Sequence, residues 1–233
     1  MSILVLTAHG SADPRSAATT HAVADTIRRI RPGIDVRPAF CEQNSPSLTD
    51  VLRTAGDGAV VTPLLLADAY HARQDIPAMI AESGVAARQA DVLGEDDQLV
   101  AVLRRRIAEV GVSRLDGVGV MVTAVGSSRA EANSRTETVA EQLVAHTRWT
   151  AATAFAAGPH PNLAEIADRL RARGATRLVI APWFLAHGRI TDRVAAFAAA
   201  RGIPMASPLG PHRLVADTVL DRFDAACSTR AAA

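Results

Sequence analysis

The stretch from Leu4 to Asp25, LVLTAHGSADPRSAATTHAVAD, recurs without a gap from Val120 to Glu141 as VMVTAVGSSRAEANSRTETVAE. Three further segments repeat in the same order. AFCEQNSPSL from Ala39 falls on AFAAGPHPNL from Ala154, and TPLLLADAYHARQDIPAMI from Thr62 falls on APWFLAHGRITDRVAAF from Ala181, the latter shorter by two residues. DVLGEDDQLVAVL from Asp91 resembles SPLGPHRLVADTVL from Ser207. Ordered matches at a nearly constant offset are the signature of a tandem duplication. The join lies around Gly111 to Asp116, dividing the chain into an N-terminal half, 1–112, and a C-terminal half, 113–233. Each half is within the size range of a small domain.

Within each half, runs rich in Val, Ile and Leu alternate with segments of helical period, the pattern of parallel strands joined by crossover helices. The class is α/β. Strands are expected near residues 2–8, 34–40, 58–66 and 88–93, and again near 118–124, 150–156, 177–185 and 203–207, with helices between them. Ser45 before Pro46 and Asp75 before Ile76 and Pro77 are expected to cap helix starts.

Composition narrows the function. The 25 basic and 24 acidic residues nearly cancel, which argues against nucleic acid and against an anionic membrane surface as partner. Every basic residue is arginine, so neither Schiff-base chemistry nor a phosphate loop that needs its lysine is available. Cys41 and Cys227 lie far apart and neither sits in a C-x-x-C pair, so no disulfide framework or cysteine metal site is expected. A reducing compartment fits. No charged leader and no apolar run of roughly 18 residues is present, so a cytoplasmic protein is expected.

In an open parallel sheet, ligands bind beyond the carboxyl ends of the strands. His9, Gly10 and Ser11 leave the first strand, Glu42 follows the second, and Asp68, Tyr70, His71 and Asp75 follow the third. The duplicate separates residues the fold needs from residues it does not. Gly10 and Ser11 recur as Gly126 and Ser127, as expected of turn and helix-capping residues. His9 is replaced by Val125, Glu42 by Ala157, and His71 falls opposite the deletion. The N-terminal half therefore keeps a polar set that its twin lacks. Imidazole nitrogen suits Fe²⁺, Co²⁺, Ni²⁺ or Zn²⁺ better than Mg²⁺, and the fold brings His9 and His71 to one edge. His21 and His146 read as solvated surface and His212 as the opening of the last helix, whereas His160 and His187 lie on ligand-edge loops of the second half.

These residues resemble the sirohydrochlorin chelatases, or class II tetrapyrrole chelatases, which load cobalt or iron into an early corrin or siroheme precursor. The pieces that carry the resemblance are L-T-A-H-G-S after the first strand, F-C-E-x-x-x-P-S-L after the second, and P-L-L-L-A-D-A-Y-H-A-R-Q-D-I-P after the third. The third is the most diagnostic. The resemblance implies two flavodoxin-like halves with a cleft between them for the macrocycle. It implies that His9 and His71 hold the metal or take the pyrrole protons, with Glu42 assisting. Val125 in place of a second-half histidine makes the chain look like the long form of the family, in which one half carries the active histidines.

Neutral imidazole can accept a proton or donate a lone pair to a metal, but one nitrogen cannot do both at once. The expected division has His9 and His71 presenting the metal and Glu42 relaying protons, while Asp75 caps its helix. Arginine forks bind carboxylates, which this substrate class carries at its periphery. Arg15, Arg73, Arg129, Arg135, Arg189 and Arg193 lie near the inferred edge, with Arg129 and Arg189 the expected contacts, alongside Ser11, His160 and His187. No tightly bound cofactor is expected, only the divalent metal as substrate. The partners are the tetrapyrrole and the metal ion, and the duplication favours a monomer over a homodimer.

Two rivals follow from the same residues. A non-catalytic metal or tetrapyrrole carrier would use the same histidines. The histidine phosphatases also place a His-Gly after a first strand, but they need an arginine directly before it, and here that residue is Ala8.

Overall fold

The computed structural model describes residues 2–158 and 160–228. Strand β1 (Ser2–Ala8) is apolar and buried over most of its length and lies inside a parallel sheet of order β2-β1-β3-β4. Its neighbours are β2 (Ile34–Phe40) and β3 (Val60–Pro63), with the short β4 (Arg88–Gln89) at the far edge. The chain order reverses about β1, so the crevice of this flavodoxin-like arrangement opens where β1 and β3 end. The second sheet has order β6-β5-β7, built from β5 (Gly119–Ala124), β6 (Thr150–Phe155) and β7 (Leu178–Pro182).

The duplication is visible residue by residue in the strand registers. Ala8 pairs with Phe40 and Thr7 with Pro63, as Ala124 pairs with Phe155 and Thr123 with Pro182. Loop hydrogen bonds repeat as well. Cys41 N–H donates to the Ala8 carbonyl and Glu42 N–H to that of His9, just as Ala156 donates to Ala124 and Ala157 to Val125. The backbone where the first two strands of each half end is thus the same in both copies, and the side chains on it differ.

Helices cover the sheets by burying one face each. In the first unit, α1 (Pro14–Ile30) buries Val23, Ala24 and Ile27, and α2 (Leu48–Ala55) buries Leu48, Val51 and Leu52. Leu48, Leu52, Val5, Val61 and Ile76, the last opening α3 (Ile76–Ser83), form one continuous core cluster. Each large side chain so buried contributes about 1.5–3 kcal/mol. In the second unit, α6 (Leu163–Ala172) and α7 (Arg189–Ala200) pack around Met121, Ile166, Leu170, Ile180 and Val194, while α5 (Ala130–Val144) buries Val139, Ala140 and Leu143.

Two helices depart from the sequence halves. The chain divides into one unit that runs to Gly94 and resumes at Pro211, and another comprising Glu95–Gly210. Helix α4 (Asp97–Glu109), the last of the first repeat, packs on α5 and β7 of the second unit. Helix α8 (Arg213–Ser228), the last of the second repeat, packs on α1 and β3 of the first. Corresponding arginines seat both helices: Arg106 of α4 donates to the Leu209 carbonyl at 3.0 Å, and Arg222 of α8 to the Leu93 carbonyl at 2.8 Å. The repeat boundary at 112/113 is therefore not where the chain passes from one unit to the other.

Three local expectations are corrected. The fourth strand expected at 203–207 is only a single bridge, Ile180 to Met205. Pro204, which has no N–H, lies within that segment. Helix α2 is capped by Ser47, whose hydroxyl accepts from Asp50 N–H, and not by Ser45. Asp13, accepting from Arg15 N–H, caps α1, while the Ser11 hydroxyl accepts from Asp13 N–H inside the turn.

Candidate active site at the β1–β3 edge

His9 follows the last residue of β1, where the chain turns sharply through Gly10 at φ +98°. A Cβ at Gly10 would stand 1.8 Å from the Glu42 carbonyl oxygen, so only glycine lets the two loops close on each other. That closure, with the bond from Glu42 N–H to the His9 carbonyl at 3.0 Å, brings Glu42 beside His9. Ser11 N–H donates to Asn44 Oδ1 at 2.8 Å and ties the same two loops a second time.

His71 reaches the site from β3 by a different device. Residues His71–Asp75 form one wide π turn, closed by Ile76 N–H donating to the His71 carbonyl five residues back, and the turn runs directly into α3. The second copy, two residues shorter here, starts α7 straight from Gly188. The extra residues of the first copy are thus used to build the turn that carries the histidine. Such wide turns occur mostly as single insertions and often at functional sites.

The two imidazoles meet edge to face with ring centroids 3.9 Å apart. Their outer nitrogens are anchored. His9 Nδ1 lies 2.9 Å from the Gly10 carbonyl oxygen, which can only accept, so Nδ1 carries the proton. His71 Nδ1 lies 2.5 Å from Asp75 Oδ2, and the same logic makes it the donor. Both Nε2 atoms are left with a lone pair to offer. His9 Nε2 is 3.4 Å from Glu42 Oε1. Two acceptors at that distance leave room for a cation between them: ligands about 2.1 Å from a tetrahedral metal are about 3.4 Å from each other.

Asp75 was expected to cap α3 but makes no capping hydrogen bond, because its carboxylate is turned to His71. This is a site residue that the sequence reading misassigned. Its signal was present in the spacing H-A-R-Q-D, which sets residues four apart on one helical face. A carboxylate on the outer nitrogen of an imidazole fixes the tautomer and raises the basicity of the inner one.

Burial pushes the Cys41 thiol up to about 11, with the charges of Asp75 and Glu42 adding to the effect. It stays protonated and does not compete as a thiolate ligand. Tyr70, 62% exposed, stands at 6.0 Å edge to face with His71 and offers an aromatic surface beside it. Asp68 is engaged by Arg73 at 3.0 Å. Among the described residues, no group of three or more His, Cys, Asp or Glu side chains is arranged as a metal cage.

Of the remaining residues singled out from the sequence, Arg15, which is paired with Asp13, His21 and His212 belong to the first unit, and the others lie in the second. His160 is held by Glu165 at 2.8 Å within the capping box of α6, which keeps the Glu165 carboxyl below its ordinary range. Arg129 occupies the N-cap position of α5 and lies 3.7 Å from Glu131, and Arg193 donates to the Ala156 carbonyl. His187 and Arg189 are exposed at the start of α7. His21 and His146 are exposed, and His212 Nδ1 accepts from Leu214 N–H at the start of α8. No helix among the described residues is long and apolar enough to cross a membrane.

Comparison with known proteins agrees with this architecture. Over 207 residues the chain is 26% identical to the sirohydrochlorin ferrochelatase of Priestia megaterium, covering 83% of this chain and 77% of that protein. It is 34% identical over 80 residues to the sirohydrochlorin cobaltochelatase of Sulfurisphaera tokodaii, covering 32% of this chain and 67% of the relative. The fold is shared with SirB from Bacillus subtilis, solved with Fe³⁺, at a TM-score of 0.81 and 22% identity over 99% of this chain and 98% of that one. The CbiX family model matches twice, over residues 3–110 and 119–226, so both halves carry it and the chain belongs to the CbiX family.

Proposed function

We propose that this protein is a sirohydrochlorin chelatase that inserts Fe²⁺ or Co²⁺ into the macrocycle with release of two protons. The observation that carries the reading is the His9–His71 pair, 3.9 Å apart, with both Nδ1 atoms anchored and both Nε2 lone pairs free. Family membership supplies the substrate class, through relatives named as ferro- and cobaltochelatases.

Insertion exchanges two pyrrole protons for one divalent cation. The two Nε2 atoms hold the incoming metal while it sheds water, and an open pair suits an ion that must be passed on. As the metal moves to the ring nitrogens, the vacated lone pairs accept the two pyrrole protons. The Asp75 carboxylate stabilises the imidazolium on His71. Glu42, half exposed beside His9, carries that ring's proton to solvent. Arg129, Arg189 and His187 offer donors to peripheral carboxylates, while Ser11 and His160 are already held by local hydrogen bonds. Cys41 and Cys227, which form no disulfide, suit a reducing cytoplasm, and the duplication suits a monomer.

The test is anaerobic insertion of Fe²⁺ or Co²⁺ into sirohydrochlorin, followed by absorbance, with protein at catalytic amount. Wild type should turn over many times, and His9→Ala and His71→Ala should each lose about a hundredfold or more. A single stoichiometric event would identify a carrier instead. Full rates in both variants would remove the histidines from the mechanism.

A further inference from the structure

The π turn has an internal difficulty. In an α-helical turn the Ala72 carbonyl would accept from Ile76 N–H, but that donor is spent on His71. In a continued π turn it would accept from residue 77, which is Pro77 and has no N–H. Ala72 is 3% exposed, so water is a poor substitute. The acceptor is instead met by a side chain from the sheet: Gln89 Nε2, on β4, donates to the Ala72 carbonyl at 2.7 Å.

We propose that Gln89 is a positioning residue, whose carboxamide satisfies the Ala72 carbonyl and so holds the π turn that sets the His71–Asp75 pair. A packing role does not account for a glutamine there. Its Oε1 is buried with no hydrogen-bond partner among the described residues, a cost that an apolar side chain of similar size would avoid. Only the donor end explains the residue. The turn is held from its back by β4, and its front carries His71 and Asp75. Without Gln89 the turn regains a helical register by moving the Ile76 bond from His71 to Ala72, which rotates His71 relative to Asp75. The catalytic consequence rests on the role proposed above for His71.

The test exploits Pro77. Gln89→Met keeps the volume and removes the donor, while Pro77→Ala supplies the missing backbone N–H. Two-bond proton–nitrogen spectra of the His71 ring report its tautomer, and Co²⁺ insertion into sirohydrochlorin reports its use. We expect wild type to show a single tautomer with Nδ1 protonated. Q89M should show mixed tautomers and turn over about tenfold more slowly. Adding Pro77→Ala to Q89M should restore the single tautomer and bring turnover to within about threefold of P77A alone. An unchanged His71 spectrum in Q89M, or the same loss whether or not residue 77 has an N–H, would overturn the proposal. Should Q89M unfold, Gln89→Asn withdraws the donor by one methylene and gives the same reading. If wild type inserts no metal at all, the functional reading fails, while the ring spectra still decide the role of Gln89.

Discussion

Gly10 and Gly126 occupy the same turn in the two copies, at φ +98° and +91°, and this makes Gly→Ala at each a matched pair of experiments. An alanine in this region of backbone space costs about 1–2 kcal/mol at either site. The surroundings then differ. At Gly10 the new Cβ starts 1.8 Å from the Glu42 carbonyl oxygen, and separations below 3.0 Å are not sustained, so the Glu42 backbone must retreat by about 1.2 Å. At Gly126 the nearest atom is the Gly158 Cα at 2.7 Å, which needs only about 0.3 Å of relief. Overpacking of the first kind costs about 1–3 kcal/mol more, so Gly10→Ala should destabilise by about 2–5 kcal/mol and Gly126→Ala by about 1–2 kcal/mol. The functional contrast should be larger. A retreat of that size takes Glu42 away from His9 Nε2, now 3.4 Å from it, and misplacement by about 1 Å can cost a hundredfold in rate. Urea denaturation gives the stabilities, and insertion kinetics at a temperature where both variants are folded give the rates. Equal loss of kcat in the two variants would refute the assignment of the chemistry to the first copy.

Two further outcomes are expected. Asp75→Ala should leave the fold intact and lower insertion by about 10–100-fold through a freely rotating His71, whereas a rate within twofold of wild type would show that the 2.5 Å contact does no chemical task. The Cys41 thiol adds a pH dependence whose sign can be worked out. Below about pH 9 both folded and unfolded chains keep it neutral; from there to about pH 11 the unfolded chain sheds the proton first, so stability is lost as pH rises. Allowing for partial exposure, the loss is about 1–2 kcal/mol, and Cys41→Ala should show a correspondingly smaller fall in urea midpoint across that window. An identical fall would exclude Cys41 as its source.

Much of the architecture was legible because the chain states it twice. Thr7 and Pro63 pair as Thr123 and Pro182 do, and a repeated register leaves little freedom in how the strands align. The histidine pair was legible for the opposite reason, since His9 stands where the second copy kept the turn and changed the side chain, and His71 where the second copy is two residues shorter. The π turn was not, because a difference of two residues in a loop can be absorbed in many ways, and the choice depends on Gln89, which is distant in sequence. The role of Asp75 depended on that choice. Nor was the seat of α4 legible. The burial of Leu99, Val102, Leu103 and Ile107 shows a helix with an apolar face, but periodicity says that a face is covered and never by which sheet.

The placement of α8 has a consequence for biosynthesis. The unit containing the histidine pair is the first to leave the ribosome, yet it includes a helix that begins only at Arg213, which seats itself through Arg31 on Asp224 at 2.6 Å and Arg222 on the Val92 and Leu93 carbonyls. The other unit, Glu95–Gly210, is one uninterrupted segment and can close while α8 is still unmade. Nascent chains should therefore acquire native structure out of order, with the later-encoded unit finished first. Until translation passes α8, the surfaces of α1 and β3 that it covers remain unburied, and a stalled chain would present apolar surface to chaperones.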